Sequence, residues 1–117
     1  MNRVVIQVVS LVTLFTIGIP YSLAVEANTV EQGKAIAFDR KKGNCLACHA
    51  VSGGVLAGNL GPELVDMKTR YPDKKILRNQ IWDATKANPA TSMPPFGRHR
   101  MLTEEEIDKV VEFIYTL

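Results

Sequence analysis

The sequence predicts an all-α domain whose helices are joined by long loops. Apolar residues recur at helical spacing near both ends of the chain. The middle of the chain carries no alternating strand pattern and is rich in glycine and proline. Loops this long in a small domain usually wrap something. At 117 residues there is room for one domain. A net charge of +2 excludes the strongly basic balance of a nucleic-acid binder. An apolar content of 46% excludes wholesale disorder. Two cysteines exclude a multi-disulfide scaffold.

The chain opens with Arg3, then a nearly continuous apolar run over 4–19, then Pro20 and small residues. That order predicts a secretory signal peptide over 1–24, with 27 as the alternative end. The run is shorter than the roughly 18–20 residues a spanning helix needs. Residues 25–117 are then the mature domain, and the expected compartment is the periplasm. A core this small calls for a disulfide, metal or cofactor to stabilise it.

A first helix is predicted over 28–41. Thr29 is its expected N-cap and Gln32 the capping-box partner. Val30, Gly33, Ile36, Ala37 and Phe38 form its apolar side, and Gly43-Asn44 ends it. A glycine- and proline-rich loop covers 51–63. A short helix is predicted over 64–70. Another opens at Pro72-Asp73 and runs to about Lys86, before Asn88-Pro89 stops the chain. Residues 90–101 form a second, proline-rich loop. Thr103 and Glu106 then make a capping box for the last helix. Its apolar stripe is Ile107, Val110, Val111, Ile114 and Leu117.

Cys45-Leu46-Ala47-Cys48-His49 is a C-x-x-C-H motif, the spacing of covalent c-type haem attachment. Two thiols one turn apart reach the two vinyl groups on one porphyrin edge, and the next residue places an imidazole on the iron. A thioredoxin-like pair would need a βαβ context. A disulfide would not call for the histidine, and a zinc site lacks its second ligand pair. One haem c, bound through Cys45, Cys48 and His49, is therefore expected. The second axial ligand must come from downstream. Met67, Met93, Met101 and His99 are the candidates. Met93 lies in a loop stiffened by Pro94 and Pro95, which lowers the freedom lost on ligation. It is preferred over Met67 on a helix, Met101 before a cap, and His99, whose ligation would remove the soft sulfur donor. Gly61-Pro62 is open between a simple turn and a carbonyl offered to the free ring N–H of His49.

The C-x-x-C-H, the later Gly61-Pro62, the Met93-Pro94 loop and the terminal amphipathic helix together resemble a class I cytochrome c. That resemblance implies N- and C-terminal helices that cross closely, with Gly33 against Val110 and Phe113, and loops wrapping a covalent haem. The stretches 38–49, 93–99 and 102–114 further resemble the SoxX family, the monohaem subunits of SoxAX complexes. It implies a SoxA-like cytochrome partner bearing the catalytic haem, a SoxYZ-like carrier protein and a soluble cytochrome acceptor. The implied activity of the complex is L-cysteine S-thiosulfotransferase, joining thiosulfate oxidatively to a carrier cysteine. The implied role here is electron transfer, with no catalytic residue in this chain. A free-standing periplasmic cytochrome is the alternative. Arg98 and Arg100 are open between partner docking and local charge balance, Lys74-Lys75 reads as solvated surface, and Trp82 as packing.

Overall fold

The computed structural model describes residues 21–117. Four helices make the frame: α1 (Tyr21–Phe38), α2 (Met67–Arg70), α3 (Lys74–Trp82) and α4 (Glu104–Ile114). Single 3-10 turns lie at Cys45–Ala47 and Ala84–Lys86. The described residues form no strand beyond one parallel bridge between Val51 and Leu64. None of the described helices is long and apolar enough to cross a membrane. The apolar leader predicted over 4–19 lies outside the described residues.

The first helix differs from its sequence-based bounds at both ends. It already runs through Thr29, so the predicted cap does not form. The Thr29 hydroxyl donates to the Val25 carbonyl at 3.0 Å, and Gln32 donates to the Asn28 side chain at 2.5 Å. Back-bonding to the residue four earlier is what a mid-helix threonine does. At the other end the helix stops at Phe38, short of 41. There the Asp39 carboxylate accepts from Lys41 N at 2.8 Å, and the Asp39 carbonyl accepts from Lys42 N and Asn44 N at 3.0 Å each. These local bonds replace the next helical turn and tip Asn44 into the left-handed region (φ 47°).

α1 crosses α4 at Gly33. A Cβ on Gly33 would overlap the Lys109 carbonyl and stand 3.0 Å from Phe113 Cβ. The crossing is therefore backbone against backbone, and only glycine permits it. Phe38 seals the crossing by meeting Phe113 edge-on, with ring centroids 5.7 Å apart. Of the two expected partners of Gly33, Phe113 stands among the atoms nearest to it. Val110 is fully buried and lines the central cavity.

α4 is capped as its sequence predicts but ends at Ile114, so Leu117, expected on its apolar stripe, lies beyond the helix. Thr103 Oγ1 accepts from Glu106 N at 3.2 Å, and Glu106 Oε2 accepts from Thr103 N at 3.0 Å. Ile107, Val110, Val111, Phe113 and Ile114 are buried. Lys42 from the turn after α1 pairs with Glu106. That ammonium, with the Thr103 N–H, holds the Glu106 carboxyl below the usual glutamate range. α3 is shorter than its prediction. Asp73 caps it by accepting from Lys75 N at 2.8 Å. Asp83 then ends it, its carboxylate accepting from Thr85 N at 3.2 Å and from Thr85 Oγ1 at 2.5 Å. Residues 84–86 pass into a 3-10 turn instead of continuing to Lys86 as α-helix. The 64–70 helix likewise begins only at Met67, because Leu64 N is drawn to the Ala50 carbonyl (2.9 Å).

Two outcomes are expected. Gly33→Val forces the helices apart and lowers holoprotein stability by about 1–3 kcal/mol in thermal denaturation. Glu106 has a depressed folded-state pKa, so its contribution is present above the unfolded glutamate pKa and is lost as pH falls through the folded one. Acid titration of Glu106→Gln should accordingly lack part of the wild-type loss of stability.

Candidate functional site

The helices surround one large cavity of about 600 Å³. Its apolar walls include Met67, Leu77, Ile81, Phe96, Val110 and Ile114. The turn carrying Cys45, Cys48 and His49 also lines it. Met93 and Pro94 from the proline-rich loop line the same space. A cavity of this size is within the range of small-molecule and cofactor sites.

The C-x-x-C-H turn is shaped by its own backbone. Asn44 enters it in the left-handed conformation, and the Cys45 carbonyl accepts from Cys48 N at 3.2 Å and His49 N at 2.9 Å. This bend gathers both thiols and the imidazole at the cavity. The following loop is strapped beneath it, with Gly58 N donating to the Leu46 carbonyl and Gly61 N to the Cys48 carbonyl, each at 2.8 Å. Gly61 lies flat against the imidazole, and a Cβ there would overlap ring carbon Cε1. His49 Nδ1 is 2.6 Å from the Pro62 carbonyl. A carbonyl only accepts, so Nδ1 carries the proton and Nε2 keeps its lone pair for the other side of the ring. The Gly61-Pro62 carbonyl, one of two readings left open by the sequence, is thus in place. Burial pushes the Cys45 thiol up to about 11, so it is not a thiolate at neutral pH. That opposes a reactive redox pair, which needs a lowered thiol pKa.

The four downstream candidates separate by position. His99 is exposed and is not among the residues lining the cavity. Met67, Met93 and Met101 all line it. Met67 is fully buried, and its sulfur accepts from Arg70 at 3.4 Å. Met101 is 47% exposed. Met93 is half-buried, with its backbone N–H held by Thr91 Oγ1 at 3.1 Å and its sulfur 4.0 Å from Gln80 Nε2.

The Met93 loop is tied to the end of α3. Gly97 N and Arg98 N donate to the Trp82 carbonyl at 3.1 and 3.3 Å. Gly97 is pressed against the Trp82 ring, where a Cβ would overlap the indole. Buried Asp83 pairs with Arg98 at 3.4 Å, and Arg98 also donates to Thr85 Oγ1 at 3.3 Å. The Thr85 hydroxyl, then Arg98, hold the Asp83 carboxyl below its usual range. Sequence reasoning missed Gln80 and Asp83. Asp83-Ala84-Thr85 has the form of a local cap and was the available signal for Asp83, whereas Gln80 carried none.

These residues fit a covalently held haem. Two thiols and an imidazole whose Nδ1 meets the Pro62 carbonyl line the cavity, thioether sulfurs line the same space, and the remaining walls are largely apolar. A protein from Aquifex aeolicus (strain VF5), described as an uncharacterized lipoprotein, is 37% identical to this chain over 76 residues. The match covers 64% of this chain and 37% of that protein, so this chain spans little more than a third of its relative's length. Residues 28–114, which include the whole of the cavity's C-x-x-C-H turn and the Met93 loop, match the family described as Cytochrome C oxidase, cbb3-type, subunit III. The helical fold, the haem-attachment motif and this match together place the chain in that family, as a class I cytochrome c domain that holds haem c.

Proposed function

We propose that this chain is a monohaem electron-transfer protein in which Cys45 and Cys48 carry thioether bonds and His49 and Met93 are the axial ligands. The observation that supports it is the convergence of all four side chains on one cavity. Bound haem c supplies reversible one-electron chemistry at its iron. The protein's part is to orient and enclose. Pro62 holds the His49 ring proton, so Nε2 is the ligating nitrogen. The two prolines after Met93 limit the freedom of the loop that presents its sulfur.

The finer reading is a SoxX-like subunit of a thiosulfate-conjugating complex. It rests on the resemblance of 38–49, 93–99 and 102–114 to that family. The structure adds a physical reason for the second stretch. Phe96 is buried against the cavity, Gly97 fits under Trp82, and Arg98 reaches Asp83. In this reading a larger, SoxA-like cytochrome supplies the catalytic centre, a SoxYZ-like protein carries the acceptor cysteine, and a soluble cytochrome takes the electrons away. The export-type leader and the similarity to a protein described as a lipoprotein support a location outside the cytoplasm, in the periplasm.

The ferric protein should show the weak far-red sulfur-to-iron charge-transfer band, and Met93→Ala should abolish it. A band that survives that substitution moves the ligand to another methionine. Native purification from the periplasm of thiosulfate-grown cells should yield a stable complex with a second, larger c-type cytochrome. A monohaem monomer active only in electron exchange leaves the free-standing carrier in its place.

A further inference from the structure

Asp83 is a carboxylate almost wholly withdrawn from water, 3% exposed, at the point where α3 ends. Its backbone is fixed there, with Asp83 N donating to the Asn79 carbonyl at 2.9 Å. Its Oδ1 takes both bonds from Thr85, and its Oδ2 faces the Arg98 guanidinium at 3.4 Å. Among the described residues no other cation pairs with it. Arg98 Nη1 also donates to Thr85 Oγ1 at 3.3 Å, so the three side chains close a triangle. The charge of a buried carboxylate is thus balanced by one residue, and that residue belongs to the loop carrying Met93.

The rest of the loop shows what this pair fastens. Pro94 and Pro95 have no N–H to donate. Phe96 is buried, and its carbonyl accepts from Met101 N at 2.8 Å and Leu102 N at 3.2 Å, so the loop closes on itself. Its first backbone bonds back to α3 come from Gly97 and Arg98, both to the Trp82 carbonyl. Carrying Met93 away from the cavity means lifting this stiff segment. Lifting it at 97–98 strips Asp83 of its counter-charge, and an unpaired buried carboxylate is costly.

From this geometry we propose that the Asp83–Arg98 pair is a latch on the Met93 loop, and that it sets how readily an outside ligand displaces the Met93 sulfur from the iron. The inference rests on Met93 being the axial ligand. Neither Asp83 nor Arg98 lines the cavity, so both act through the loop and are positioning residues. The Arg98 side chain is 58% exposed, so the latch opens toward water and not through the core. While it is shut, a small base competes with a thioether that its loop holds in place. Once it is released, the same base competes with a thioether on a loose segment.

The test is titration of the ferric holoprotein with imidazole, read as loss of the far-red charge-transfer band, at a pH where free imidazole is neutral. A neutral probe is indifferent to charge that a substitution removes from the surface. Arg98→Leu and Asp83→Asn are each expected to bind imidazole about tenfold more tightly than wild type, and the double variant no more tightly than the more permissive single one, because both break one interaction. Thermal denaturation of the same proteins separates the latch from a purely structural role, which would lower stability and leave imidazole affinity where it was. An unchanged affinity in Arg98→Leu overturns the inference, and so do effects that add in the double variant. Should Asp83→Asn fail to load haem, Arg98→Leu is compared with Arg98→Lys. Lysine keeps a counter-charge for Asp83 and is expected to restore most of the wild-type resistance to imidazole. A lysine variant as permissive as the leucine one overturns the inference as well. Failure of the underlying ligand assignment is recognised separately, by wild-type protein without the band or by Met93→Ala that retains it.

Discussion

The close crossing of α1 and α4 at Gly33 sets the frame on which the remaining chain is hung. With no side chain between them, the Lys109 carbonyl rests on the Gly33 backbone, and the Phe38–Phe113 pair closes the gap beside it. The crossing fixes where α1 ends, and so where the Cys45 turn begins. It also aims Val110 and Ile114 of α4 into the interior, where they become cavity wall. The Lys42–Glu106 pair reinforces the relation from the turn after α1, at the first turn of α4. Both partners keep some exposure to water, so the pair alone contributes little. Its use is to lock the corner at which the haem-attachment turn departs.

The two ends of the cavity are built by different means. On the histidine side the work is done by backbone: Gly58 and Gly61 let the loop pass beneath the Cys45 turn, and the Pro62 carbonyl takes the ring proton. On the methionine side it is done by the end of α3, through the Trp82 carbonyl and ring, the Asp83 carboxylate and Gln80. A glycine-rich loop is free to fold closely around an imidazole because it carries no side chains to obstruct it. A proline-stiffened loop cannot do the same. It has few backbone donors and a fixed φ, and it must be gripped from outside. The division of labour follows from the composition of the two loops.

How much of this was legible in the sequence depends on whether the signal was local. The C-x-x-C-H motif and the Thr103 capping box rest on nearest neighbours, the close crossing at Gly33 was implied by the resemblance to class I cytochromes c, and all three reappear in the fold. The Thr29 box did not, because the same Ser/Thr-x-x-Glu/Gln spacing occurs inside helices, where the hydroxyl turns back on its own carbonyls. The end of α3 was misjudged for a related reason. Asp83 competes for the backbone N–H of Thr85 and stops the helix before any proline is reached. All three methionines line the cavity, so position alone does not choose among them. Gln80 was invisible, since an amide on an amphipathic helix reads as surface until the facing loop is known.

The basic residues complete the argument about what this surface does. Lys74 pairs with Glu112 at 2.7 Å and lies 4.9 Å over the Tyr115 ring, so its role is local, as the sequence implied. Arg98 was open between docking and local balance, and Asp83 and Thr85 engage its guanidinium. It is still 58% exposed, but moving it toward a partner would strip buried Asp83 of its counter-charge. An uncompensated buried carboxylate is far more costly than a lost surface contact. Arg98 is therefore best understood as a strut of the Met93 loop. Arg40 and Lys41, which have no ion pair among the described residues, border the attachment turn and line the cavity.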